Sequence, residues 1–144
     1  MHIPYPKGYT ISFKEGLNMK ITTFNPLIVT KDSAPIVEFF EALGFEKRHN
    51  LKASTGEKGI DSIRMKDEGG FYVDISEVED FGLPQDLTLI RMNVDNFEEA
   101  YEKLTSLGFV NPRGNDTVDT KTNKSAMLRS PSGFAIDLCQ HIKD

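Results

Sequence analysis

The chain has 144 residues, of which 38% are hydrophobic and 27% charged, with a formal net charge of −5. That length and composition fit one ordinary globular domain, and the acidic balance disfavours nucleic acid or an anionic membrane as partner. The single cysteine, Cys139, excludes an internal disulfide and fits a reducing, cytoplasmic setting, and no apolar run nears the ~18 residues that would cross a bilayer.

Residues 1–18 read as an N-terminal extension. Its charged residues Lys7, Lys14 and Glu15 argue against a signal peptide, and residues 9–13 alternate as a short strand would. Lys14-Glu15-Gly16 ahead of Met19-Lys20 also fits a gene whose translation starts at Met19; an intact mass beginning at Met1 would exclude that. A strand is predicted at 21–30, with Pro26 placing it at a sheet edge or kinking it. Asp32 or Ser33 then caps a helix that Pro35 helps to start. Ile36, Phe40 and Leu43 form the helix's apolar face, and Gly44 closes it. Strands are predicted at 45–51, 60–66 and 71–78, divided by Ser54-Thr55-Gly56 and Glu68-Gly69-Gly70.

The order then repeats. A strand is predicted at 87–94, and Asn96 with Glu99 resembles a capping box. Phe97, Ala100, Tyr101, Leu104 and Leu107 lie at helical spacing before Gly108. Strands are predicted at 109–113, 124–129 and 134–141, with 114–123 as a polar, mobile loop. The repetition is also literal. Leu43-Gly44-Phe45 returns as Leu107-Gly108-Phe109, and Gly70-Phe71-Tyr72-Val73-Asp74-Ile75 as Gly133-Phe134-Ala135-Ile136-Asp137-Leu138, at an offset of about 63–64 residues. Two copies of one unit therefore share a domain, module one at about 19–80 and module two at about 84–144. Neither is long enough to bury a robust core alone.

Strand alternation separates two faces. Ile90, Met92 and Val94 point to the helix side, while Leu89, Arg91 and Asn93 point to the other. Asp137 shares its face with Ala135, Cys139 and His141, and Asp74 shares its face with Tyr72 and Ser76.

The run from Leu27-Ile28-Val29 to Leu43-Gly44-Phe45, its copy from Ile90 to Leu107-Gly108-Phe109, and the ending Ser130-Pro131-Ser132-Gly133-Phe134-Ala135-Ile136-Asp137-Leu138 resemble the vicinal oxygen chelate superfamily. That group includes glyoxalases, extradiol dioxygenases and bleomycin-resistance proteins. The resemblance implies an α+β fold of two βαβββ modules whose curled mixed sheets form a cleft, often in a homodimer. It also implies a metal site in many members, with a histidine or glutamine early in each first strand and a glutamate in each last strand. Aligning the strand cores puts Phe24 and Leu89 at the early positions and Asp74 and Asp137 at the late ones. A slip of one residue offers Asn25 or Thr88. None of these four early residues suits zinc or iron; two aspartates with water would hold Mg²⁺ or Mn²⁺ weakly.

A buried carboxylate must be solvated, neutralised or paired. Asp74 and Asp137 are either polar anchors on a cavity wall or remnants of a lost metal site held by Arg91. Arg91 serves as a structural counter-charge or grips a ligand in a bidentate fork. Asn93 orients a polar ligand or bonds a neighbouring strand. Phe24, Tyr72 and Leu89 give apolar walls, or simply core packing. His141, His49 and Cys139 read as ordinary structural positions. The expected function is metal-free binding of a small organic molecule, with Asp74, Asp137, Arg91, Asn93, Tyr72, Phe24 and Leu89 lining the site. The alternative is a divergent lyase, isomerase or dioxygenase that uses Asp74 and Asp137 with a weakly held divalent ion or as acid–base groups.

Overall fold

The structure, a computed structural model, describes residues 18–50 and 60–141. The strand expected at 9–13 and the His49 side chain lie outside what is described. Module one consists of β1 (Ile21–Thr30), α1 (Ala34–Ala42), β2 (Glu46–Asn50), β3 (Ile60–Lys66) and β4 (Tyr72–Val78). Module two consists of β5 (Leu87–Val94), α2 (Phe97–Ser106), β6 (Val118–Asp119), β7 (Asn123–Arg129) and β8 (Ala135–His141). Among the described residues, no helix is long and apolar enough to cross a membrane.

The strands form one eight-stranded sheet in the order β2-β3-β4-β1-β5-β8-β7-β6. Each module pairs its first strand in parallel with its last, β1 with β4 and β5 with β8. The modules meet where β1 and β5 run antiparallel from Ile21 opposite Val94 to Val29 opposite Leu87. β1 is therefore the centre of the sheet, not the edge or kink that Pro26 suggests. Proline is tolerated there because β4 pairing begins only at Leu27. Pro26 lies beyond that ladder and pairs on its other side with Ile90 of β5.

Both helices lie on one face of the sheet, and the alternation of the strands decides what they cover. Val37 on α1 packs with Ile63, Met65, Val73 and Ile75, joined by Ile28, Ile36, Phe40 and Phe45. Phe97 and Ala100 on α2 pack with Met92, Val94, Leu128, Ile136 and Leu138. The helix starts differ. The Asn96 side chain caps α2 by accepting the Glu99 N–H at 3.2 Å. Ser33 gives α1 no side-chain cap; it donates its N–H and hydroxyl to Glu77 at the end of β4.

Two local expectations change. Residues 109–113 make no strand beyond a single bridge between Val110 and Arg129, because the chain turns at once around Asn111. That buried side chain accepts the Arg113 N–H and donates to the Asp116 carbonyl and the Tyr101 hydroxyl, so its own bonds replace a sheet ladder. The following polar segment is partly ordered as β6, paired with β7 through Val118 opposite Ser125.

Candidate functional site

The face without helices carries the polar residues of both modules, because every second residue of β1, β3, β4, β5, β7 and β8 points to it. Register does the rest. Leu27 pairs with Asp74 across β1 and β4, and Arg91 pairs with Asp137 across β5 and β8. Leu27 and Arg91 are thus equivalent positions, and two residues earlier Asn25 is the counterpart of Leu89. This moves the first-strand alignment by one residue from Phe24 to Asn25. Asn25 is 5% exposed, whereas Phe24 is 61% exposed and points to the opposite face.

Asp74, 2% exposed, is the most enclosed charge of the site. Arg64 grips it in a fork, Nε to Oδ1 at 2.8 Å and Nη2 to Oδ2 at 3.0 Å. Asn25 Nδ2 donates to Oδ2 at 2.9 Å, and Asn25 Oδ1 accepts from Arg64 Nη2 at 3.1 Å. Arg91 approaches from the other module, with Nη1 3.7 Å from Asp74 Oδ2. Its Nε and Nη2 donate to Asp137 Oδ2 at 3.1 and 3.0 Å. Two guanidiniums and two carboxylates thus form one alternating chain across the seam, the arrangement that buried charges require. Burial works against the charge on Arg91, yet the opposing charges, Asp137 foremost, raise its pKa above the ordinary arginine value.

A cavity of about 270 Å³ opens beside the second half of this chain. Its floor includes Arg91 and Asp137, its apolar walls Leu27, Val29, Leu89 and Met127, and its rim Arg113 and Asp116. Ser62 and Ser76 on β3 and β4 also reach it, hydrogen-bonded to each other at 3.1 Å. Both modules therefore wall the same space. Cys139 lines it too, its thiol 3.4 Å from Asp137 Oδ2. Burial, followed by the charge of Asp137, pushes the thiol pKa well above the ordinary value, so Cys139 is a neutral wall group rather than a thiolate.

Of the residues expected to line a site, Arg91, Asp137 and Leu89 meet at the cavity. Asp74 belongs to the charge chain but is sealed away from the open space by Arg64 and Asn25. Tyr72 lies under Arg64 and Lys66, whose charged ends are 4.8 and 5.1 Å from its ring centroid. Asn93 donates to Thr23 Oγ1 at 2.6 Å and serves the β1–β5 seam. Phe24 borders a separate groove with Pro26, Ile90 and Phe134 on the helix-bearing face. Arg64 is the functional-site residue that the sequence reading missed. Its signal is the alternation of β3, where Ser62, Arg64 and Lys66 oppose the buried Ile63 and Met65.

The metal site implied by the family resemblance finds poor donors here. The early positions hold Asn25, already bonded to Asp74 and Arg64, and Leu89, which has no donor atom. Both late carboxylates are bonded by guanidiniums, whose charge opposes a cation at the same oxygens. The residues do not fit a divalent ion.

No protein-family model matches the chain, and no match is found among curated proteins. Solved structures do match in fold. One is a glyoxalase/bleomycin resistance protein/dioxygenase superfamily member from Vibrio splendidus, 17% identical, covering 84% of this chain and 99% of its own, with a TM-score of 0.55. A protein from Bacillus halodurans is 13% identical over 89% of this chain and 98% of its own, with a TM-score of 0.64. The methylmalonyl-CoA epimerase of Streptomyces coelicolor, solved with 2-nitronate-propionyl-CoA, is 14% identical over 86% of this chain and 100% of its own, with a TM-score of 0.63. The chain thus shares the fold of the glyoxalase/bleomycin resistance protein/dioxygenase superfamily member and of the epimerase.

Proposed function

From a chain with the vicinal oxygen chelate fold, we propose a protein that binds a small organic molecule in its cleft without a metal centre, in the manner of bleomycin-resistance proteins. The observation that carries this reading is the Arg91–Asp137 pair on the floor of a partly apolar cavity, with both late-strand carboxylates already held by guanidiniums. Small-molecule sites combine such walls with a few placed polar groups, in volumes of roughly 300–1,000 Å³, and this cavity lies near the lower bound. The Streptomyces epimerase, which is similar in fold, was solved in complex with an organic ligand. Metal analysis and calorimetry on the purified chain test the reading together. Stoichiometric zinc, nickel, iron or manganese would overturn it, as would a cleft that takes up no organic compound.

One feature supports an enzyme as the second reading. Among the described residues, Arg91 and Cys139 reach Asp137 through Oδ2, and in this reading Oδ1 exchanges a proton with a bound substrate. Loss of turnover in Asp137→Asn, with ligand binding and folding kept, would favour this reading over passive binding. The proposal includes a cytoplasmic homodimer, as the family resemblance implies; a monomer mass in solution light scattering would remove the dimer.

A further inference from the structure

The two modules build the mixed face from matching positions. Arg64 stands opposite Asp74 across β3 and β4, and Met127 stands opposite Asp137 across β7 and β8. The register is the same in both: two residues earlier, Ser62 pairs with Ser76 and Ser125 with Cys139. The direction of Met127 is fixed by its neighbours. Ala126 and Leu128 are buried in the apolar cluster under α2, so alternation turns Met127 to the other face. There it lines the cavity together with Asp137.

The two halves differ in what this position does. In module one the Arg64 guanidinium holds both oxygens of Asp74, whose side chain is left 2% exposed. In module two the Asp137 side chain is 16% exposed. The cavity of about 270 Å³ is lined by Met127 and Asp137, but by neither Arg64 nor Asp74. Methionine is shorter than arginine and ends in a methyl group rather than a planar fork. The open half is thus the half that carries methionine where the closed half carries arginine. Arg91 does not stand in for it, because it holds Asp137 from β5, on the opposite side of β8 from β7.

We infer that Met127 is the specificity-determining residue of the cleft: it keeps the space beside Asp137 open and sets the size of ring that can lie there. The ligand class is an apolar, ring-bearing molecule. Leu27, Leu89 and Met127 supply the wall, and a thioether packs favourably against the edge of a ring. This inference rests on the binding reading above and adds the residue that selects among ligands.

The test is calorimetry on the full chain with benzyl alcohol and 2-naphthalenemethanol, which share one polar group and differ by one fused ring. Met127→Ala widens the space and should shift the ratio of the two affinities towards the larger alcohol by at least roughly tenfold. A general loss of stability would weaken both alike and leave that ratio unmoved. Met127→Arg should weaken both alcohols by at least roughly tenfold, because its guanidinium can pair with Asp137 as Arg64 pairs with Asp74. An unchanged ratio in folded Met127→Ala, or undiminished binding in folded Met127→Arg, overturns the inference and leaves cleft binding standing. No binding of either alcohol by the wild type overturns both. If circular dichroism shows either variant unfolded, Met127→Val replaces the first and Met127→Phe the second, with the same outcomes required.

Discussion

Arg64 and Met127 occupy equivalent positions, opposite Asp74 and Asp137 in their respective antiparallel pairs. One is a cation that closes its half of the face, and the other is an apolar wall of the open half. Arg64→Met should cost about 3–5 kcal/mol, the usual penalty for leaving a buried carboxylate without its main partner. Urea denaturation would measure it, and Arg64→Met with Asp74→Leu should recover most of the loss. The alternation of β3 makes Arg64 legible as a residue of the mixed face. Its pairing with Asp74 is not legible, because Glu68-Gly69-Gly70 marks a turn without fixing how many residues it takes up, and the register follows from that number. Asp74 itself could be read as needing a partner, but Arg91, the cation visible on the first strand of module two, supplies only the longer contact. Cys139 makes a second prediction. Burial and then the Asp137 charge hold its thiol protonated, so alkylation by iodoacetamide should be slow in the native chain and fast in urea. A folded-state pKa raised above that of the unfolded thiol, about 8.5, adds stability that is complete below that pH and fades as the pH rises towards the native value. Wild type should therefore lose more stability than Cys139→Ala between neutral and alkaline pH.

The two helices end alike and are packed differently. Gly44 and Gly108 follow α1 and α2 with φ of +97° and +99°. A Cβ at Gly44 would meet nothing within 4 Å, whereas one at Gly108 would lie 2.9 Å from Cγ of Pro131. Gly44→Ala should cost only the left-handed backbone penalty, about 1–2 kcal/mol. Gly108→Ala should cost more, because the turn before β8 must move as well; thermal unfolding of the two variants compares them directly. Helix ends and strand periods were the most legible part of the sequence, since capping and alternation are local. The bounds predicted for β1, β3 and β5 coincide with those observed. The failures are non-local. Pro26 suggested an edge because its strand's neighbours were unknown, and 109–113 has strand-forming residues whose pairing the Asn111 turn pre-empts.

Across the whole molecule, two apolar clusters sit under separate helices, yet the sheet between them is continuous. The β1–β5 seam carries eight paired positions from Ile21 to Val29, and the charge chain crosses it from Asp74 through Arg91 to Asp137. Separating the modules would expose a long central edge and break the Arg91–Asp74 contact. The chain should therefore unfold in one cooperative transition. Circular dichroism and tyrosine fluorescence should give the same urea midpoint, and two resolved midpoints would mean that the modules are energetically separate. The repeat forecast this two-module sheet, but left unsaid that the modules had diverged at the floor of their shared face. A cleft assembled from two identical modules would present every ligand with two poses related by a half-turn. Arg64 against Met127, and Leu27 against Arg91, remove that equivalence, so an occupant enters one way round. The lost alternative costs only about 0.4 kcal/mol in pose entropy, and in return each end of the ligand always meets the same wall.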